Sequence, residues 1–428
     1  MGFPTAPIVT IAFKDLAISN AAGRGMPRLR TCFTPHPVWG KTDEQMYGYL
    51  EGNDPVSGKP FMKEVIDALT RPLTDEDKKT GSVTPPVGPP TYVDTADNLQ
   101  QYYMDNGMTD FMQIVLPTRE KVAAMLKGTS HKPDEPVGKM APARGSYPEW
   151  TYNVRQVAIN AVMAGCKPEY FPVILAIAES GLTSLSSSTN SFCTAAIING
   201  PIRDKLNMNY GIGAMGPFSQ PNAAIGRAWT ILSRNLANCG VPGQTYLGTL
   251  GNGVNYNNLI IPENEKDSPW TPFHVQKGFK AEDNVVSLFM GFSIAQGQGA
   301  AGLGLKPIPH YHEAIAYNFA PFAPLFGGLV VCDPLVAKGL VDLGYKTKEQ
   351  LADWLQKNST ISVKDAKSSL FGGRYAQGPQ GPLPDDAQVP RWDRASAINM
   401  VVVGGQTNPY HMVANMRYSV SLSIDKWA

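Results

Sequence analysis

The chain has no CxxC cysteine pair, almost no excess of either charge, and no apolar run of the about 18 residues that a membrane helix needs. Each shortage removes a class of function. Without a CxxC pair a structural zinc ribbon is excluded. The five cysteines, Cys32, Cys166, Cys193, Cys239 and Cys332, are odd in number and widely spaced. That argues against a disulfide framework and for a reducing, cytoplasmic compartment. Lysine and arginine total 37 against 36 acidic residues, so a net charge of +1 draws neither nucleic acid nor an anionic membrane. The start, MGFPTAPIVTIAF, lacks a basic stretch ahead of its apolar residues, so no secretory leader is expected. No repeat and no coiled-coil heptad is visible.

What is present is core-forming material. With 43% hydrophobic and 17% charged residues over 428 positions, the chain can build large cores. At roughly 100–200 residues per domain it predicts two or three domains. Residues 7–13 read as a short buried strand, 14–23 as a helix that Gly25–Pro27 ends, and 29–33 as a second strand. Residues 60–71 predict an amphipathic helix with Phe61, Val65, Ile66 and Leu69 on one face. Two parallel strands and their helices cannot close a core alone. Residues 1–80 therefore predict an incomplete α/β half-domain that a partner completes. Residues 81–117 contain a Pro/Gly-rich run and predict a linker. Residues 118–428 predict one large α/β domain that carries the active site. Its helices fall at 118–127, 152–164, 168–179, 221–237, 334–343 and 347–356, between strands AAIING, NVVSLFMGF, GGLVVCD and INMVVVGG. Residues 128–150 read as irregular and the glycine-rich stretch 297–304 as a loop.

Several long blocks carry a resemblance. They are IVLPTREKVAAMLKGTSHKPDEPVGKMAP (114–142), VRQVAINAVMAGCKPEYFPVILA (154–176), IINGPIRDKLNMNYGIGAMGPFSQPNAAIGRA (197–228), ENEKDSPWTPFHVQKGFKAEDNVVSLF (263–289) and MVVVGGQTNP (400–409). In this order they resemble the UGSC-type (seleno)proteins, named for a Sec/Cys-Gly-Ser-Cys motif in an N-terminal domain. PTAPIVTIAF and LRTCFTPHPV resemble the second half of that domain, and the half with the motif has no counterpart here. The resemblance thus implies the C-terminal part of the family. It also implies sulfur or selenium chemistry whose nucleophile a second, smaller CGSC- or UGSC-bearing polypeptide supplies. It names no substrate.

Among the residues themselves, Cys166 lies between two predicted helices, with Gly165 ending one and Pro168 opening the next. A helix N-terminus and Lys167 beside it favour a thiolate; the alternative is a small buried thiol at a tight corner. Glu169, in the first turn, reads as an acid/base group or as a dipole partner. Asn160 orients a substrate or braces a loop. Asn199 ends a strand, where ligands of α/β folds gather. Asn222 caps the helix 223–237, with Arg227 one turn inside, a possible seat for an anion. Glu263, Asn264, Trp270 and His274 form a polar and aromatic group in a segment without periodicity, with His274 as general base. The run GIGAMG lacks the register of a dinucleotide loop. His310 and His312 offer two imidazoles, too few to complete a metal site. No cofactor is required.

These features predict that Cys166, Asn199, Asn222, Glu263 and His274 surround one pocket near the N-terminal segment. The expected function is the large subunit of a hetero-oligomeric, thiol- or selenol-dependent lyase or reductase acting on a carbon–heteroatom bond of a small electrophile. The alternatives are a non-catalytic scaffold for a partner's site, or a cofactor-free hydratase-lyase using His274 and Glu263.

Overall fold

A computed structural model describes residues 4–38, 40–81, 91–143, 147–297, 311–320, 327–368, 377–378 and 381–428. Most of the predicted glycine-rich loop and His310 lie outside the described residues. The chain is an α/β protein, as expected. Among the described residues no helix is long and apolar enough to cross a membrane.

The N-terminal segment holds β1 (Ile8–Thr10), α1 (Lys14–Gly23), β2 (Cys32–Thr34), α2 (Asp43–Glu51) and α3 (Phe61–Thr70). β1 and β2 pair in parallel, Ile8 opposite Cys32, as a sheet of two strands. The Asp54 carboxylate accepts from the Phe33 amide at 2.7 Å and so occupies a backbone donor of β2. Arg30 ties the far end of α3 to β2, donating to the Arg71 and Pro72 carbonyls and to Asp77. Only Ala21, Cys32, Phe33, Thr34, Asp54 and Phe61 are buried among the described residues from 4 to 81. That is far too little to offset the entropy of ordering so many residues.

Within 81–117, predicted as a linker, lies α4 (Ala96–Asp105), capped by Thr95. Periodicity missed it because half of its ten residues are polar. α5 (Arg119–Leu126) begins at the expected cap, Thr118. The stretch 128–150 is not irregular throughout: β3 (Pro136–Met140) forms a hairpin with β4 (Trp150–Asn153). Asn153 ends β4 and caps α6 (Val154–Met163) by a reciprocal box with Gln156, so the helix starts two residues later than predicted. Pro168 opens a 3-10 turn, and α7 (Phe171–Glu179) follows.

The main sheet has six strands: β5 (Cys193–Asn199), β6 (Leu259–Pro262), β7 (Val285–Gly297), β8 (Gly328–Cys332), β11 (Ile398–Val402) and β12 (His411–Ser423). Between β8 and β11, β9 (Thr360–Ser362) and β10 (Gln388–Pro390) form a small antiparallel pair. The spatial order is β11-β8-β12-β7-β5-β6. β5 and β6 are parallel, as are β8 and β11, and every other pairing is antiparallel. The chain path therefore runs twice through one plan. A strand crosses to a parallel neighbour, and a long third strand then returns on the first strand's other side. The two long strands, β7 and β12, pair at the centre. No sequence repeat announces this symmetry.

The sheet curls until the region after β6 meets β11. The Asn264 amide donates to the Val402 carbonyl at 2.7 Å, and its side chain to the Gly404 carbonyl at 3.0 Å. Ala195, Ile197, Ile261, Phe289, Leu329, Val331, Val401 and Met416 fill the interior. One outer face (Ala196, Ile198, Ile260, Val286, Leu288) packs on α5, α6, α7 and α9 (Gln220–Ala237). The other (Val330, Cys332, Met400, Val402, Val413) packs on α11 (Tyr311–Asn318), α12 (Pro334–Asp342) and α13 (Lys348–Asn358). Strands covered on both faces lose the apolar/polar alternation, which is why β5 reads as a continuous run. Gly226 lets α9 approach: a Cβ there would sit 1.9 Å from the Asn257 carbonyl oxygen.

Candidate functional site

Sequence reasoning placed a site at the end of the strand holding Asn199 and in the aperiodic segment 263–274, and a polar cluster is found where the two meet, past the ends of β5 and β6. Glu263 is fully buried just past β6. Its Oε2 accepts from Asn199 Nδ2 and from the Phe273 amide, each at 2.6 Å. Its Oε1 meets Lys348 Nζ at 2.8 Å, with both side chains sealed from solvent. Asn199 Nδ2 also donates to Glu265 Oε1 at 2.8 Å, and the other Glu265 oxygen pairs with Arg203 at 2.9 Å. The guanidinium of Arg203, on the short helix α8 (Ile202–Lys205), donates to the Gly200 carbonyl and to the Glu263 carbonyl, and lies over the Tyr210 ring. Asn199 Oδ1 and His274 Nδ1 are buried with no hydrogen-bond partner among the described residues, while His274 Nε2 lies 3.3 Å from the Ala281 carbonyl oxygen.

This arrangement clamps more than it offers. Both Glu263 oxygens are occupied by donors. As a general base, Glu263 would first have to break an ion pair in a low-dielectric interior. Asn264 braces the sheet closure and also holds Asp267. Trp270 packs in the second helical layer and donates to the Tyr345 carbonyl at 3.0 Å.

The remaining predicted residues sit elsewhere. Cys166 packs against the first helical layer, its thiol directed at the Ala224 carbonyl at 3.3 Å. Burial pushes that thiol up, and nearby Arg227 offsets only part of the effect. The expected thiolate is thus opposed by desolvation, which outweighs a helix terminus. Burial likewise raises Cys32 and Cys332, and takes Cys193 and Cys239 to about 12. Glu169 is exposed on the 3-10 turn. Asn160 accepts from Asn235 at 2.7 Å, a bridge between α6 and α9. Asn222 does not cap its helix, because α9 begins earlier, after Ser219. Its amide instead donates to the Asn209 and Ala214 carbonyls. Arg227 is held by both Asp110 oxygens, at 2.8 and 2.9 Å, and is not presented to an anion. His312 packs its ring on Trp354, with centroids 4.4 Å apart. No metal-ligating group of three or more residues occurs among the described ones. Asn199 and Glu263 are thus in direct contact, with His274 one residue beyond Phe273; no contact joins them to Cys166 or Asn222.

A cavity of about 1600 Å³ lies outside β7 and β12, between the two helical layers. Met290, Arg394, Asn399, Arg417, Tyr418 and Ser419 are among its lining residues. Sequence reasoning missed this place. Its walls are the ends of separate elements, and β12 carries two irregularities, between Ala414 and Met416 and between Tyr418 and Val420, that scramble its alternation. Just behind Asn399 and Tyr418 stands Lys277. Its Nζ donates to Asn399 Oδ1 at 2.9 Å and lies 4.5 Å from the Tyr418 ring centre and 4.7 Å from that of Phe273. Burial, and then Lys348 beside it, push the Lys277 amine below the usual lysine range. The one available signal was proximity in sequence: Lys277 follows His274 on the turn of α10 (Phe273–Gln276).

Residues 1–50 match the UGSC family. The match covers PTAPIVTIAF and LRTCFTPHPV, whose resemblance to that family it bears out; it falls on the N-terminal segment, not on the blocks from 114 to 409, and so does not bear out the expectation of a C-terminal family part. No curated protein and no solved structure matches the chain.

Proposed function

From the premise that residues 1–50 belong to the UGSC family, we propose that this chain is the large subunit of a hetero-oligomeric enzyme whose reactive thiol or selenol sits on a second, smaller polypeptide. The partner carries a CGSC- or UGSC-type motif and adds to the N-terminal segment. The substrate is a small electrophile, cleaved or reduced at a carbon–heteroatom bond. Five free thiols fit a cytoplasmic setting.

The observation that carries this reading is the uncovered apolar surface of the two-stranded segment. Ten of the twenty-three exposed large apolar residues among those described fall between Ile8 and Leu73. On α3, Met62, Ile66 and Leu69 follow at i, i+4 and i+7 spacing and stand 47%, 54% and 40% exposed. A stripe at that spacing is the face a helix buries. β1 has no strand on its outer side among the described residues, and Ile8 at its start is 55% exposed. A partner that extends the sheet past β1 and covers α3 would satisfy both. Desolvation raises the pKa of each of the chain's own cysteines, which supports a nucleophile from outside.

Ile66→Asp places a charge on that stripe without touching a buried contact. The partner should then dissociate, with affinity reduced at least about tenfold for a lost central apolar anchor. The thermal midpoint of the isolated chain should stay unchanged. Retention of the partner by Ile66→Asp at wild-type affinity would count against this docking face.

A further inference from the structure

A second cavity, of about 320 Å³, opens beside α9 and shares no lining residue with the larger one. Its volume lies at the lower end of the range for small-molecule sites, roughly 300–1,000 Å³. Arg234 reaches it from α9, Asp110 and Phe111 from the segment before α5, and Tyr246 and Tyr256 from the loop and 3-10 turn ahead of β6. Asn252 holds that turn, accepting from the Val254 amide at 3.0 Å and donating to the Ser191 and Phe292 carbonyls. A Cβ at Gly251 or Gly253, both in the lining, would meet no other group within 4 Å, so this side of the cavity is open.

Phe111 adopts φ +62°, the left-handed region that a bulky residue rarely enters. Its neighbours hold it there. The Phe111 amide donates to Thr109 Oγ1 at 2.8 Å, and Thr109 is fully buried. Arg227 grips both Asp110 oxygens. The ring is not buried by this arrangement: it stays 64% exposed, with Arg234 Cζ 4.9 Å from its centre. Core packing therefore does not explain the strained backbone, and strain of this kind gathers at ligand clamps. Arg234 supplies the charge. Its Nε and Nη2 donate to the Gly107 carbonyl and its Nη1 to the Gly240 carbonyl, at 3.2 to 3.3 Å. These acceptors are neutral and take three of the five N–H groups of a guanidinium. Asp110, the carboxylate in the lining, is already committed to Arg227. Burial works against the Arg234 charge, and Asp110 offsets only part of that.

We infer that this cavity binds a small aromatic carboxylate. The carboxylate meets the remaining N–H groups of Arg234 in a charge-assisted contact. Its ring lies among Phe111, Tyr246 and Tyr256, where offset and edge-on ring contacts are favourable. An aliphatic acid would answer the cation and leave the three rings without a partner, and a neutral aromatic would do the reverse. The site is formed by this chain alone, so its failure would leave the partner reading standing, and failure of the partner reading would leave this site standing.

The test is calorimetric titration of the full chain with benzoate, with acetate and benzyl alcohol as comparison ligands. Benzoate should bind once per chain with a Kd near or below about 1 mM. It should bind at least about tenfold tighter than either comparison ligand, the scale of one hydrogen bond to a charged group. Arg234→Gln should weaken benzoate by at least about tenfold and leave benzyl alcohol unchanged. Phe111→Gly removes the ring at a position whose backbone glycine adopts freely. It should weaken benzoate about fivefold, the scale of an aromatic contact, with a thermal midpoint at or above that of the wild type. Should Arg234→Gln fail to fold, Phe111→Gly decides the matter. Wild-type benzoate affinity in folded Phe111→Gly, or equal affinity for benzoate and either comparison ligand, would overturn the assignment. So would the absence of saturable benzoate binding in the wild type at ten times that concentration.

Discussion

Lys348→Ala should destabilise the chain by about 3–5 kcal/mol, the range for removing one member of a buried ion pair. The reason is geometric. Lys348 reaches Glu263 from the first turn of α13, and neither side chain meets solvent. Glu263 keeps Asn199 and the Phe273 amide as donors after the substitution, but loses its ion-pair partner. A total stability of roughly 5–15 kcal/mol is usual for a domain, so the loss removes a large share of it. The double substitution Lys348→Met with Glu263→Gln removes both charges and keeps an acceptor for Asn199. It should recover most of the loss. Urea denaturation of the three proteins measures this. A cost below about 1 kcal/mol for Lys348→Ala would mean that the pair is solvated and does not clamp β6 to α13.

The second large effect is a loss of stability on mild acidification, set by His411. This residue opens β12, is buried, and accepts at Nε2 from the Asn318 amide at 2.8 Å. Burial lowers its pKa from 6.5 to about 4. The unfolded chain therefore binds the proton first as pH falls. The contribution is fully present above about pH 6.5 and is lost progressively down to pH 4. A difference of that size corresponds to about 3 kcal/mol. His411→Gln, which keeps an acceptor for Asn318, should flatten the stability profile between pH 6.5 and 4. A profile as steep as the wild type's would assign the acid loss to other groups.

How far the sequence could be read differs by element. α3, α5, α12 and α13 were legible because each carries its own start signal or an apolar stripe, and α1 because Gly25–Pro27 marks its end. The two parallel strands of the N-terminal segment were legible as short apolar runs. β6 was not, since its four residues end in Pro262 and merge with the polar cluster that follows. β12, one of the two longest strands, was hidden by its irregularities and by polar residues such as Asn415 and Arg417. The sheet's closure depends on a backbone bond from Asn264 to Val402, which no local pattern encodes. At the candidate site, Asn199 was found because a polar residue ended a predicted strand, and Glu263 because polar and aromatic residues cluster in a segment without periodicity. Their partners Lys348 and Arg203 were not, because each begins a helix where a cation reads as solvated.

The central claim is that a second chain completes the N-terminal segment. Its most direct test is purification of the protein from its native cell under mild conditions, followed by native mass measurement and cross-linking. The account predicts a hetero-oligomer with a smaller chain bearing a CGSC or UGSC motif, cross-linked to residues between Ile8 and Leu73. A monodisperse chain with no companion, and with that surface freely labelled in the native extract, would contradict it.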